Sequence, residues 1–119
     1  NEWPKNRSPR LIDFTLVGKH ANNNVRLKAT ESYSSEVKVQ DPDKDELIYQ
    51  WEIRRESQST KSGGDAEYIP EKIDGLFEDS LSNVASFNAP EDPGAYRLFI
   101  YVKDGKGHTA HANIPFWVE

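Results

Sequence analysis

Apolar and polar residues alternate with period two over several short stretches of this chain, the pattern of strands that keep one face in a core and the other in solvent. The alternation is clearest from Tyr96 to Lys103, where Tyr96, Leu98, Ile100 and Val102 share one face and Arg97, Phe99, Tyr101 and Lys103 share the other. It returns from Ala110 to Val118, with Ala110, Ala112, Ile114, Phe116 and Val118 in phase. Between them, Asp104-Gly105-Lys106-Gly107 supplies glycines for the positive φ angles of a tight turn, so the two stretches are predicted to pair as an antiparallel hairpin. A third stretch places Leu47, Tyr49, Trp51 and Ile53 on one face and Ile48, Gln50, Glu52 and Arg54 on the other. Weaker strands are expected at Leu11 to Val17, Val25 to Ala29, Glu36 to Gln40 and Val84 to Asn88, the last centred on Phe87 and ending at Ala89-Pro90.

Roughly seven short strands with turn signals about every ten residues, and no long segment of helical periodicity, predict an all-β fold: an immunoglobulin-like antiparallel β-sandwich. Trp51 shares the face of Tyr49 and Ile53 and is expected in the core rather than at the surface. Two regions fit the strand pattern poorly. Glu56 to Asp65 is polar and rich in Gly and Ser, and reads as a surface loop. From Ala66 to Asp79, the spacing of Ile69, Ile73, Leu76 and Phe77 allows either a short helical turn after Pro70 or an irregular segment pinned to the core. Residues 1–9, with Pro4 and Pro9, read as an entry linker, and residues 10–119 as the domain.

At 119 residues the chain fits one domain. Its 15 basic and 20 acidic residues give a net charge of −5, a surface that repels phosphate backbones and argues against nucleic acid as a partner. No stretch approaches the ~20 apolar residues of a membrane span, so membrane insertion is not expected. Cysteine is absent, which removes disulfides and thiolate metal sites as sources of stability. The chain starts at Asn1 and lacks Met throughout, as expected of an excised domain or mature fragment. Catalysis finds little support: a glycosidase holds two carboxyl groups across a cleft, with one raised in pKa, and a sandwich of this size offers no evident cleft. His108 and His111, three apart on an expected strand, point to opposite faces and do not share a metal. No nucleophile elbow or phosphate-binding glycine loop is present. A non-catalytic module is therefore expected.

Four pieces of the chain, in order, carry a family resemblance: Asn6 to Pro9 (NRSP), Asp41 to Ile53 (DPDKDELIYQWEI), Ala85 to Pro90 (ASFNAP) and Pro93 to Val118 (PGAYRLFIYVKDGKGHTAHANIPFWV). Together they resemble the polycystic-kidney-disease-type immunoglobulin-like domain. That family shows Asn-x-x-Pro at its entrance, Asp-Pro-Asp-Gly-Asp before a Leu-x-Tyr-x-Trp strand, Phe-x-Ala-Pro before the penultimate strand and Asp-Gly-x-Gly in the last hairpin. Lys44 stands where the family has Gly, which makes a left-handed backbone there less comfortable. The wording YRLFIYVKDG followed by ANIPF, with GGDAEYIP inserted before it, is similar to versions at the carboxyl end of secreted bacterial glycoside hydrolases. The resemblance implies a non-catalytic accessory module of a polysaccharide-degrading enzyme that is secreted, periplasmic or at the cell surface. Its partner would be a polysaccharide of β-glucan type, or the adjacent catalytic domain of the same polypeptide. A different class stays open, a structural spacer or adhesion module whose partner is protein.

Two places carry candidate chemistry. Phe99, Tyr101 and Trp117 alternate away from the core set and are expected on one outward surface with Arg97, His111 and Asn113, beside Gln50 and Glu52. Aromatic faces for sugar C–H groups, flanked by planar donors and acceptors for hydroxyls, suit a carbohydrate platform. The same composition suits a face that docks against a neighbouring domain. The second place is the acidic turn, where Asp41, Asp43 and Asp45 at spacing two, with Asp104 from another turn and Asn6 as a further oxygen donor, are candidate calcium ligands. The EF-hand pattern is missing, and the alternative is a turn whose Asp side chains accept backbone N–H bonds. No cofactor is required by either reading, and calcium is the metal considered for the turn.

Overall fold

The computed structural model describes residues 9–40, 46–56 and 71–119. Asn6, Asp41, Asp43, Lys44, Asp45 and residues 57–70, with most of the expected surface loop, lie outside them, whereas residues 71–79 are described and form no helical turn after Pro70. Eight strands are found among the described residues: β1 (Arg10–Leu16), β2 (Val25–Leu27), β3 (Ser32–Gln40), β4 (Ile48–Arg55), β5 (Phe77–Asp79), β6 (Val84–Asn88), β7 (Gly94–Lys103) and β8 (Thr109–Val118). They form two four-stranded sheets, in the orders β1-β3-β6-β5 and β2-β8-β7-β4. The protein is an all-β sandwich whose strand order is that of immunoglobulin-like domains, with β4, β7 and β8 opposite the β1-β3-β6-β5 sheet.

The alternation read from the sequence sorts the side chains as expected. Tyr96, Leu98, Ile100 and Val102 of β7 and Ile114, Phe116 and Val118 of β8 are buried, and Trp51 and Ile53 of β4 meet them from the next strand. The facing sheet contributes Leu16, Val37, Ala85 and Phe87. Rings join the two layers: Phe14 lies 6.0 Å from Trp51, and Phe87 lies 6.4 Å from Phe116 between centroids. Each fully buried large side chain is worth about 1.5–3 kcal/mol in apolar burial. The indole N–H of Trp51 would be costly to leave unpaired here, and it donates to the Ser82 carbonyl at 2.9 Å.

Two devices set the ends of β7. At its start, the buried Tyr96 hydroxyl donates to the Asp92 carbonyl at 2.6 Å, the tyrosine corner of immunoglobulin-like folds. The Arg55 guanidinium caps the same ring at 5.1 Å. At its end, the Asp104 carboxylate is enclosed by its own turn: Oδ1 accepts the backbone N–H groups of Lys106 (2.7 Å) and His108 (3.1 Å), and Oδ2 lies 2.8 Å from His108 Nδ1. Gly105 and Gly107 take the positive φ angles, 74° and 96°, that this turn demands. The result is an unbroken register from Gly94↔Val118 to Lys103↔Thr109.

Three features differ from the sequence expectation. β3 begins at Ser32, four residues before the expected Glu36, because Ser32 to Ser35 pair with β6 although their pattern is weakly apolar. The segment expected to turn or wander into Asp79 ends instead as strand β5, where Phe77 pairs with Phe87, their ring centroids 5.6 Å apart and their planes tilted by 54°. Just before it, the Ile73 N–H donates to the Ile53 carbonyl at 2.8 Å, closing part of the open edge of β4. Finally, β2 runs parallel to β8, with Arg26 opposite Trp117. The short 3-10 turn Ala21–Asn23 and the left-handed Asn24 (φ 55°) carry the chain across to that edge.

Removing the corner hydroxyl in Tyr96→Phe is expected to cost about 1 kcal/mol, read as a lower urea midpoint at unchanged slope. Trp51→Ala, which empties the meeting point of the two layers, is expected to cost about 3–5 kcal/mol.

Candidate functional site

The two outer faces of the sandwich are chemically unlike. Outward positions of β3 are Ser32, Ser34, Glu36 and Lys38, all exposed, as a solvated sheet face should be. The outer face of β2-β8-β7-β4 carries aromatics instead, in rows that the strand register defines. One row runs Gln50, Tyr101, His111; the next runs Glu52, Phe99, Asn113; the third runs Arg54, Arg97, Pro115. A fourth row brings Ala95 beside Trp117, with Arg26 on the far side.

Along β7 the Phe99 and Tyr101 rings stack nearly parallel, 6.3 Å apart and 8° between planes. The His111 ring closes on Tyr101 at 6.1 Å and 37°. Both aromatics are half-buried, while His111 is exposed. Trp117 is 46% exposed and stands apart from this ladder, because the Arg97 row intervenes. From Asn113 to Trp117 is four residues of strand, about 13 Å. The sheet therefore brings Phe99, Tyr101, His111, Asn113 and Arg97 together and holds Trp117 at the other side of them.

Polar groups on this face are bonded to one another. Arg97 Nε lies 3.1 Å from both carboxylate oxygens of Glu56, its Nη2 reaches Oε2 at 2.9 Å, and its Nη1 donates to Asn113 Oδ1 at 2.5 Å. On β4, Glu52 accepts from Gln50 Nε2 (2.8 Å) and from Arg54 Nη2 (2.9 Å), and Lys103 Nζ donates to Gln50 Oε1 at 3.0 Å. Glu52 is only 7% exposed. Burial alone would raise its pKa, but the hydrogen bonds from Arg54 and Gln50, with the charges of Arg54 and Lys72, hold the carboxyl below the usual carboxylate range.

At the end of the sheet where the start of β4 lies beside the last hairpin, Asp104 is fully buried within its turn. Burial pushes its pKa up, yet the N–H groups of Lys106 and His108 and the His108 side chain outweigh this and leave it lowered. Of the candidate calcium ligands, Asp104 thus spends its oxygens on the hairpin, while Asp41, Asp43 and Asp45 lie outside the described residues. Among the described residues, no three His, Asp or Glu side chains converge as a metal would need. His108 belongs to the turn rather than to β8, and His111 sits on the aromatic face.

Residues that pattern reading passed over include Glu56, Ala95 and Arg26. Glu56 has the same parity as Glu52 and Arg54, so the outward face of β4 extended by two residues would have found it. Arg26 becomes visible only once β2 is known to lie against β8. Neither the models of known protein families nor the characterised proteins compared with this sequence match it. Among the described residues, no helix is long and apolar enough to cross a membrane.

The lowered carboxylates have a measurable consequence. Glu52 and Asp104 bind fewer protons folded than unfolded near their titration range, so stability rises with pH there. Their contribution is complete above the ordinary values, about 4, and is lost as pH falls through the lowered folded values. The melting temperature is expected to be flat from pH 8 to about 5 and to fall steeply below about 4. Glu52→Gln should lose about 1–3 kcal/mol at pH 7 and show a shallower acid limb. An acid limb of unchanged steepness in the variant would rule out Glu52 as a contributor.

Proposed function

We propose that the chain is a non-catalytic immunoglobulin-like module, of the polycystic-kidney-disease type, in a larger secreted or cell-surface protein that processes polysaccharide. Its outer β7–β8 face contacts a glycan of β-glucan type. The observation that carries this reading is the pairing of a stacked Phe99–Tyr101 ladder with an exposed Trp117 on one sheet face, where a merely solvated sheet would be polar. The non-catalytic part draws on Glu52, the buried carboxylate of this face. Its pKa is lowered, whereas a glycosidase acid needs one that is raised.

A second reading has its own support. The polar groups of the face, from Lys103 and Gln50 to Arg97, Glu56 and Asn113, already bond to each other. A neighbouring domain can cover such a surface without stranding unpaired polar atoms, so bracing of an adjacent catalytic domain fits the same residues.

Affinity electrophoresis through gels containing soluble β-glucans separates the two readings. Glycan contact predicts retardation of the native protein, reduced at least about tenfold in apparent affinity when Tyr101 and Trp117 are both changed to Ala. Migration equal to that in glycan-free gels, across a panel of β-glucans, would leave docking as the reading that stands.

A further inference from the structure

Trp117 does not lie on a flat surface. It forms one wall of a groove of about 260 Å³ whose other lining residues include Ala95, Glu56, Arg26, Asn24 and Pro115. The groove exists because of strand register and residue size. Ala95 pairs with Trp117 on one side, and its carbonyl accepts the Glu56 N–H at 2.9 Å on the other. The small side chain of Ala95 thus lies between two much larger ones, Trp117 and Glu56, leaving a trough across two strand spacings, about 9–10 Å.

The chemistry around this trough is specific. One wall offers a half-exposed indole face. The opposite wall offers a carboxylate whose direction is fixed by Arg97, which grips it through Nε and Nη2. A carboxylate holds about four lone-pair sites, so the oxygens of Glu56 can still accept from a ligand. Arg26, beyond Trp117 in the same row, and Asn24 also line the groove. Charge in the trough is balanced, because Glu56 is paired with Arg97, and Arg26 lies 3.3 Å from Glu119. A balanced site with one aromatic face and one oriented acceptor favours a neutral polyol over an ion. Its volume is below the ~300 Å³ at which drug-sized pockets begin, and so takes one ring rather than an extended chain.

We propose that this groove binds a single neutral pyranose residue of a glycan, with the ring's C–H face on Trp117 and two neighbouring hydroxyls donating to Glu56. The proposal rests on the glycan-binding reading above but moves the contact from the Phe99–Tyr101 ladder to the other end of the face. In it Glu56 is a binding residue, Arg97 positions Glu56, and Ala95 matters by its small size.

A ¹⁵N-resolved NMR titration of the native protein with laminaribiose and with cellobiose tests it. The Trp117 indole N–H and the amides of Ala95 and Glu56 should shift. The Trp51 indole N–H, which is bonded to Ser82 inside the core, should stay still. Trp117→Ala is expected to weaken binding at least tenfold, Glu56→Gln several-fold, and Tyr101→Ala less than twofold. Ala95→Leu fills the trough while keeping both walls and should abolish the shifts. Binding lost in Tyr101→Ala but kept in Trp117→Ala and Ala95→Leu would overturn the groove and leave glycan binding intact. Resonances unmoved by either sugar at concentrations of tens of millimolar would overturn both.

Discussion

β7 and β8 pair along their full length, and both sheets take their positions from that hairpin. The two strands, of ten residues each, run in unbroken register from Gly94↔Val118 to Lys103↔Thr109. Strand side chains alternate, so a slip of one residue would send Leu98, Ile100 and Ile114 to the solvent and Phe99, Tyr101 and Asn113 into the core. The register is held at both ends by polar bonds rather than by apolar packing alone. Asp104 winds the turn at one end around its carboxylate, and the Tyr96 hydroxyl ties the other to the Asp92 carbonyl. β4 then takes its own register from β7, and the second sheet packs on the resulting face.

This arrangement puts ordinary core chemistry inside and unusual chemistry on one outside face. The inner residues are the aliphatic and aromatic set any sandwich needs. Outside, β3 of the opposite sheet shows serines and charges to solvent, with Ile12 of β1 and Val84 of β6 exposed on the same sheet, whereas the β8-β7-β4 face sets rings between paired arginines and carboxylates. Pairing offsets the cost of burying charge there: Glu52, Arg54, Arg97 and Glu56 each find a partner within 3.3 Å. It also fixes side chains that would otherwise be long and mobile. Glu56 and Asn113 are both held by the Arg97 fork, whose planar geometry can serve two acceptors at once.

In the proposed function this face makes contact rather than performing chemistry. The carboxylates of Glu52 and Glu56 are paired with arginines, the rings of Phe99 and Tyr101 stack on one another, and a recess lies beside Trp117. The flat ladder of Phe99 and Tyr101 offers area without enclosure, while the trough beside Ala95 offers enclosure for a small group. The two halves of the face are therefore not interchangeable as contact surfaces, although one strand pair carries both.

Much of the fold was legible in the sequence because strand alternation is local. The core residues of β4, β7 and β8, the Asp-Gly-Lys-Gly hairpin and the burial of Trp51 all follow from period-two patterning and turn chemistry, which act over a few residues. The same patterning placed Phe99, Tyr101, Arg97, His111, Asn113 and Trp117 on one outward face. It missed β5, whose three residues carry little pattern of their own and become a strand only because β6 offers an edge to pair with. It also could not say that Trp117 lies across the Arg97 row from Tyr101, or that Glu56, Ala95 and Arg26 surround it. Those relations join β2, β4, β7 and β8, up to 93 residues apart for Arg26 and Glu119, and no local periodicity records them. Local alternation sorts residues into inward and outward sets, whereas which outward residues meet follows from register and sheet order, which join strands far apart in the chain.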